Sequence, residues 1–171
     1  SIENIINRAK SGDANAVTRL YEMHVDKIYR YVAYRVPNDE AEDITSDVFI
    51  RMVESLPQFT YTGVPFEAWL YRIASARIAD FYRKNKRTTH VELHEHIKSE
   101  NPQPEENLIS SQEQQKIRQQ LHQLGEDQQT LLLLRFVERK SHEEVAQIMG
   151  KSVTAVKTMQ HRALQRLAQL M

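Results

Sequence analysis

SHEEVAQIMGKSVTAVKTMQHRAL, residues 141–164, is the stretch that decides the fold of the C-terminal part of the chain. Ser141 and Glu144 have the spacing of a capping box, in which each side chain satisfies a free backbone N–H of the other residue at a helix start. Gly150 suits the left-handed conformation that ends many helices. Ser152 then stands where a second helix needs its cap. The stretch therefore predicts helices near 142–149 and 153–169, joined by a tight turn.

The second predicted helix has two faces of different character. At about 100° per residue, the apolar side chains fall together on one side: Val153, Val156, Ala163, Leu167 and Leu170. A polar and basic set gathers on the opposite side: Thr154, Lys157, Thr158, His161 and Arg162. No acid occurs from residue 151 to the end of the chain. Because phosphate contact and base reading require such a face on a helix-turn-helix, the pattern favours duplex DNA binding over an ordinary bundle helix.

The rest of the chain also shows helical rather than alternating periodicity. Further helices are predicted near 2–10, 13–35, 40–55, 66–86, 107–123 and 127–138. The stretch 88–110 contains Pro102 and Pro104, has little apolar periodicity and is typical of a flexible linker. We therefore expect an all-α protein of two small helical domains, residues 1–87 and 111–171, joined by a flexible acidic linker.

The net charge of zero hides strong local charge patterning. Residues 38–54 carry six acids against one base, and residues 66–87 carry six bases against two acids. Residues 88–110 return to five glutamates against one lysine. Such alternation indicates surfaces for different partners, although solvated helix faces would give similar blocks.

Composition excludes several classes of protein. There is no cysteine, which excludes disulfides and cysteine-ligated zinc. No stretch approaches the ~18 apolar residues of a membrane span, and no secretory signal opens the chain. Ser1 in place of methionine indicates a processed or trimmed start. We expect a cytoplasmic protein with no membrane insertion.

The helix predicted over 66–86 combines aromatic and basic residues, as nucleic-acid surfaces do. Phe59 and Tyr61 in the preceding loop add two rings that suit stacking on unpaired bases. Trp69 has the spacing of a core residue and is expected to be buried. Asp80 is expected to form an ion pair with a basic side chain at helical spacing, such as Arg83 or Lys84. The most strongly basic part of this surface is the run 83–87.

These segments together resemble the sigma-70 family of RNA polymerase sigma factors, in particular its small extracytoplasmic-function members. The resemblance covers nearly the whole chain. It rests on an ordered series of motifs: Gly12-Asp13, Ala41-Glu42-Asp43-Ile44, Asp47-Val48-Phe49, Phe66-Glu67-Ala68-Trp69-Leu70-Tyr71-Arg72-Ile73-Ala74, Leu132-Leu133-Leu134-Arg135-Phe136, Glu143-Glu144-Val145-Ala146 and His161-Arg162-Ala163.

The resemblance implies a function in transcription initiation, with three surfaces. Core RNA polymerase would be bound through the acidic helix, by Asp39, Glu42, Asp43, Asp47, Phe49 and Arg51. The −10 element of promoter DNA would be recognised and opened by the loop and helix over 57–87, through Phe59, Tyr61, Arg72, Ala76, Arg77, Asp80, Arg83, Lys84, Lys86 and Arg87. The −35 element would be read as duplex by Ser152, Thr154, Ala155, Lys157, Thr158, His161 and Arg162.

The resemblance also implies an inhibitory partner, and the chain departs from the family pattern at two positions. Sigma factors of this type are usually held inactive by an anti-sigma factor. Ala76 stands where many relatives have asparagine, and Met159 stands where many have a basic residue. Both departures imply an altered promoter sequence. Neither a cofactor nor enzymatic activity is expected.

Two alternatives stay open on the sequence. A sigma-like decoy would sequester an anti-sigma factor without binding DNA, which Lys157, Arg162 and the basic run 83–87 disfavour. His90, His94 and His96 could bind a divalent ion. However, they lie in the predicted linker, which offers no preorganised cage, and no metal site is expected.

Overall fold

The computed structural model describes residues 1–87 and 105–170, and these residues form α-helices and no strand. The prediction of an all-α fold is therefore confirmed. The helices are α1 (Ile2–Lys10), α2 (Ala14–Arg35), α3 (Asn38–Ser55), α4 (Phe66–Arg87), α5 (Glu105–Leu121), α6 (Glu126–Leu132), α7 (His142–Met149) and α8 (Val153–Leu170). A 3₁₀ turn, Leu56–Gln58, follows α3.

The first four helices pack around one apolar core. The largest side chains in it are fully buried and come from each helix: Ile6, Leu20, Ile28, Tyr31, Met52, Leu70, Tyr71 and Ile78. Tyr31 and Tyr71 meet edge to face at 5.4 Å between ring centroids. Burial of about 1.5–3 kcal/mol per large side chain makes this core the main source of stability.

The C-terminal helices build their core from the run Leu131–Leu134, together with Val145, Ile148, Val156 and Ala163. The sequence predicted one helix over 127–138, but the α-helix ends at Leu132 and continues as a π-helical segment, Leu133–Val137. In that segment the N–H of Glu138 bonds the carbonyl of Leu133, five residues back, at 2.9 Å. A leucine-rich run gives no local signal for this wider turn.

Helix α5 begins inside the range that the sequence assigned to the linker. It starts at Glu105 rather than near 107, so residues 105–110 are helical. The remaining predicted helices agree with the structure to within two residues. None of the helices in residues 1–87 and 105–170 is long and apolar enough to cross a membrane.

The N-terminal and C-terminal helices meet through polar side chains. Lys140, before α7, donates to the carboxylate of Glu67 on α4 at 2.7 Å, and Lys27 on α2 donates to the same carboxylate at 2.8 Å. Burial would raise the pKa of Glu67, but the hydrogen bonds from Lys140 and Lys27 outweigh it and leave that pKa below its ordinary value. The carboxylate therefore stays ionised between two lysines.

Candidate nucleic-acid interface

The helix-turn-helix of α7 and α8 has the local geometry that the sequence predicted. The Ser141 hydroxyl accepts the N–H of Glu144 at 3.1 Å, and the Glu144 carboxylate accepts the N–H of Ser141 at 2.9 Å. Gly150 ends α7 at φ +66° and ψ +38°, in the left-handed region. Ser152 then accepts the N–H of Ala155 at 3.0 Å and caps α8. These caps fix where the second helix begins.

All of the residues predicted to read the −35 element are exposed: Ser152, Thr154, Ala155, Lys157, Thr158, His161 and Arg162. We call them the reading face of α8. The opposite side is anchored by Val156 and Ala163, which are fully buried. The exposed side of α8 is therefore polar and basic, which is the arrangement that suits a recognition helix.

A groove separates the reading face from the start of α6. It is lined by Ala155, Thr158, Met159 and Arg162 on α8, and by Gly125–Gln128 on the other side. The carboxylate of Asp127 lies 3.6 Å from the ammonium of Lys151. No local sequence pattern predicts this acidic flank, because Glu126 and Asp127 lie about 30 residues before α8.

The loop before α4 belongs to an aromatic cluster. Phe59 lies 4.5 Å from Trp69 and 5.3 Å from Phe66, measured between ring centroids. The ammonium of Lys10 donates to the carbonyl of Phe59. Phe59, Trp69 and Tyr61 are all half-buried. Trp69 packs against the core but is less buried than its spacing predicted, and Phe59 belongs to the same partly buried cluster.

The predicted −10 residues of α4 differ in their surroundings. Ala76, Arg83, Lys84 and Lys86 are exposed. Asp80 pairs with Arg77 at 2.6 Å and with Arg83 at 3.3 Å, so the expected helical ion pairing is present. Arg87 is the last residue of α4, and its side chain lies outside the described part of the chain.

Arg72 makes contacts that the sequence analysis did not predict. Its Nε donates to the carbonyl of Ile148 at 2.9 Å, and its Nη2 donates to the carbonyl of Gln147 at 2.9 Å. These carbonyls belong to the last turn of α7, where helix carbonyls lack partners and a cation is favoured by the helix dipole. In this arrangement Arg72 binds the helix-turn-helix.

Most of the predicted polymerase-binding residues of α3 are exposed, namely Asp39, Glu42, Asp43, Asp47 and Arg51. Phe49 differs from the others, because it is only 5% exposed and packs edge to face on Tyr21 at 4.9 Å. Its ring supports α3 from inside, and its contact with polymerase stays a prediction. Ile50 and Val53, which the sequence analysis missed, are 55% and 47% exposed. Their exposure beside acids marks them as candidate contacts on this helix.

Near the end of α4, a second group of contacts joins the two sets of helices. The Tyr82 hydroxyl donates to the carbonyl of Arg35 and lies 3.0 Å from Nε2 of His122. Burial raises the pKa of Tyr82 to about 12. The pKa of His122 is lowered, first by burial and then by the charges of Arg35 and Arg118. Both rings are therefore neutral at pH 7.

A metal site is not formed by the residues that the structure describes, where no cluster of three or more His, Asp or Glu side chains has a suitable arrangement. His90, His94 and His96 lie outside the described residues, so the expectation about them stays a prediction.

Comparison with known proteins identifies both parts of the chain. The family model for sigma-70 region 2 matches residues 20–88, and the model for sigma-70 region 4 matches residues 114–167. The fold is similar to that of CnrH in its complex with the cytosolic domain of CnrY, with a TM-score of 0.73 and 23% identity over 97% of this chain and 94% of that chain.

Three curated relatives, all named ECF RNA polymerase sigma factors, match nearly the whole of this chain. BldN of Streptomyces coelicolor is 35% identical over 98% of this chain, which spans 64% of the length of BldN. SigD of Mycobacterium tuberculosis is 32% identical, with 97% of this chain and 82% of SigD covered. ShbA of Streptomyces griseus is 35% identical, with 97% and 93% covered. The chain therefore belongs to the ECF group of the sigma-70 family of RNA polymerase sigma factors.

Proposed function

We propose that this chain directs promoter-specific transcription initiation in bacteria by binding core RNA polymerase and reading promoter DNA. The observation that carries the proposal is the reading face of α8, which is capped, basic and exposed on the second helix of a helix-turn-helix. Membership of the sigma factor family supports binding to core RNA polymerase, and the reading face supports contact with the −35 element.

The other surfaces receive their roles in the same proposal. Residues 1–87 form the domain that binds polymerase through α3 and the −10 element through α4, and residues 111–171 form the −35 domain. The exposed run of Arg83, Lys84 and Lys86 supports DNA binding by α4 through phosphate attraction. Residues 88–110 connect the domains. The protein acts in the cytoplasm and has no catalytic role.

An anti-sigma factor is the proposed inhibitory partner. A solved structure with a similar fold, TM-score 0.65 and 22% identity, is the sigma factor RpoE of Bartonella quintana in complex with the anti-sigma factor NepR. For this chain, the exposed apolar side chains Ile50 and Val53 on α3 offer a surface for which such a partner would compete with polymerase.

The proposal is tested by reconstituting the full chain with bacterial core RNA polymerase on genomic DNA and sequencing the 5′ ends of the transcripts. The DNA upstream of the start sites should share −35 and −10 elements. Lys157→Ala and Arg162→Ala should each weaken promoter binding. Each should also reduce the dependence of the binding constant on salt concentration by the amount that corresponds to about one phosphate contact. Arg166→Ala is the matched control, because it removes an exposed base of the same helix nine residues beyond Lys157.

A chain that opens no promoter with polymerase but still binds an anti-sigma factor would be a decoy, and the proposal would be wrong. Loss of binding in the Arg166 control equal to that in Lys157→Ala would show a general charge effect rather than reading by this face.

A further inference from the structure

Gln160 lies at the border between the buried and exposed sides of α8. It is half-buried and stands about 60° around the helix from Lys157. Its side-chain carbonyl Oε1 accepts two hydrogen bonds, from Nε of Arg135 at 3.1 Å and from Nε2 of His142 at 2.9 Å. Arg135 also donates through Nη1 to the carbonyl of Lys140 at 2.6 Å. One oxygen atom therefore links α8 to the π-helical segment and to the first residue of α7.

These partners fix which way the amide of Gln160 points. The Nε of an arginine carries a proton at every accessible pH and can only donate, so the atom facing it must be the carbonyl oxygen. The amide nitrogen Nε2 is then directed away from Arg135. Within residues 1–87 and 105–170 it makes no hydrogen bond and is not among the buried atoms that lack a partner. It therefore keeps some contact with solvent, to which its N–H groups can donate.

This orientation limits what Gln160 offers to DNA. The usual pairing of glutamine with adenine uses both the amide donor and the carbonyl acceptor. Here the acceptor is already taken by Arg135 and His142, so only donation remains. Acceptors in the major groove and on the backbone of duplex DNA are the phosphate oxygens, N7 of adenine and guanine, O6 of guanine, and O4 of thymine.

We propose that Gln160 binds promoter DNA as a hydrogen-bond donor only, through Nε2, and that Arg135 and His142 are positioning residues that impose this polarity. The inference rests on the proposed reading of the −35 element by α8. It assigns a specificity role to a residue whose neighbour, Met159, is one of the two departures from the family pattern.

Gln160→Glu tests the proposal directly. The carboxylate keeps an acceptor for Arg135 and His142, so the thermal midpoint of the free protein should not fall. It replaces the outward donor by an acceptor, so affinity for DNA should fall about tenfold or more. Gln160→Met removes the donor without adding charge and should lose about fivefold. Gln169→Glu is the charge-matched control, about 14 Å further along the helix.

The measurement is binding of the full chain, reconstituted with core RNA polymerase, to a duplex library randomised across the −35 region. If Gln160→Glu loses affinity uniformly across the library, the DNA group that accepts from Nε2 in the wild type is a phosphate oxygen. If the variant instead changes its preference toward cytosine or adenine at one position, that group is a base edge. Either result supports donation by Nε2.

Two results would overturn the inference, and they differ in meaning. If the wild-type holoenzyme selects a −35 sequence and Gln160→Glu and Gln160→Met bind as tightly as it does, Gln160 serves only to hold α8 in place. If the wild-type holoenzyme selects no sequence at all, the proposed function is wrong and the inference fails with it.

Discussion

Arg30 on α2 and Glu138 after the π-helical segment, 108 residues apart in the sequence, form an ion pair with two hydrogen bonds. Nε of Arg30 donates to Oε2 of Glu138 at 2.7 Å, and Nη2 donates to Oε1 at 2.8 Å. The Tyr71 hydroxyl donates to Oε1 at 3.2 Å. The Glu138 side chain is only 2% exposed. A nearly buried carboxylate of the C-terminal domain is thus satisfied by two residues of the N-terminal domain.

Arg30→Ala should weaken the contact between the two domains. The substitution removes both hydrogen bonds of Arg30 and leaves the Glu138 carboxylate with only Tyr71 as a partner, a loss that is relieved when the carboxylate is exposed to water. Because the chain has no cysteine, dyes can be placed at Ser46→Cys and Gln169→Cys, both exposed. Energy transfer between the dyes should fall in Arg30→Ala.

Arg19→Ala is the matched control for this experiment, since Arg19 is an exposed arginine of the same helix. Energy transfer should stay at the wild-type value in that variant. Equal values in wild type, Arg30→Ala and Arg19→Ala would show that the ion pair does not hold the domains together.

Acid should destabilise the N-terminal domain through His24. This residue is 5% exposed, its Nδ1 donates to the carbonyl of Leu20 at 2.7 Å, and burial lowers its pKa. A group with a lowered folded pKa contributes stability above its unfolded pKa, about 6.5 for histidine, and loses it as the pH falls through the folded value. The free energy of unfolding should therefore decrease below about pH 6.5, by at most about 1.4 kcal/mol per pH unit.

Urea unfolding of the wild type and His24→Met at several pH values from 7.5 down to 5 checks this prediction. The variant should show a flatter dependence on pH, because one buried proton-binding group is gone. Parallel curves for the two proteins would mean that other groups cause the acid sensitivity.

Ser141→Ala should destabilise the helix-turn-helix by about 1 kcal/mol. The substitution removes the acceptor for the N–H of Glu144 and breaks the capping box at the start of α7. Ser46→Ala, in the exposed interior of α3, is the control and should be neutral or slightly stabilising, since alanine is the better helix former. Thermal unfolding followed by circular dichroism measures both, and a Ser141→Ala midpoint at or above that of Ser46→Ala would contradict the role of the cap.

Gly150→Ala should also cost about 1 kcal/mol, for a reason that concerns the backbone. The residue lies at φ +66°, which disfavours any side chain with a Cβ. Space is not the cause, because an added Cβ would meet its nearest atom, Nη2 of Arg72, at an ordinary 3.7 Å. Gly150→Asn should cost less, since asparagine tolerates this region. Equal losses of unfolding free energy in the two variants would point to a steric cause instead.

The features that the sequence predicted best are those specified within a few residues. The caps at Ser141, Gly150 and Ser152 each depend on neighbours at most four positions away, so α7 and the reading face of α8 follow from local chemistry. Exposure of the reading face follows from periodicity. By contrast, the family motif that includes Phe49 carries no information about which of its side chains are buried.

Contacts between distant segments were beyond the sequence pattern. Nothing local to Arg72 indicates that it binds the carbonyls at the end of α7, and nothing near Arg30 indicates Glu138. Arg139 adopts φ +58° without the glycine or asparagine that would signal it. Nothing local to Gln160 indicates its two bonds, to Arg135 and His142, because they depend on tertiary packing.

The π-helical segment Leu133–Val137 sets the rotational phase of everything that follows it. A π turn accommodates one residue more than an α turn, so it is equivalent to a one-residue insertion in a helix. Deleting a residue there would restore α-helical winding and rotate Glu138 by about 100° relative to Arg135. Glu138 now points to the N-terminal domain while Arg135 points to α8. A change of one residue in the length of this segment would therefore turn Glu138 away from the N-terminal domain. Related proteins could lose the domain contact in this way while keeping the residues of both surfaces unchanged.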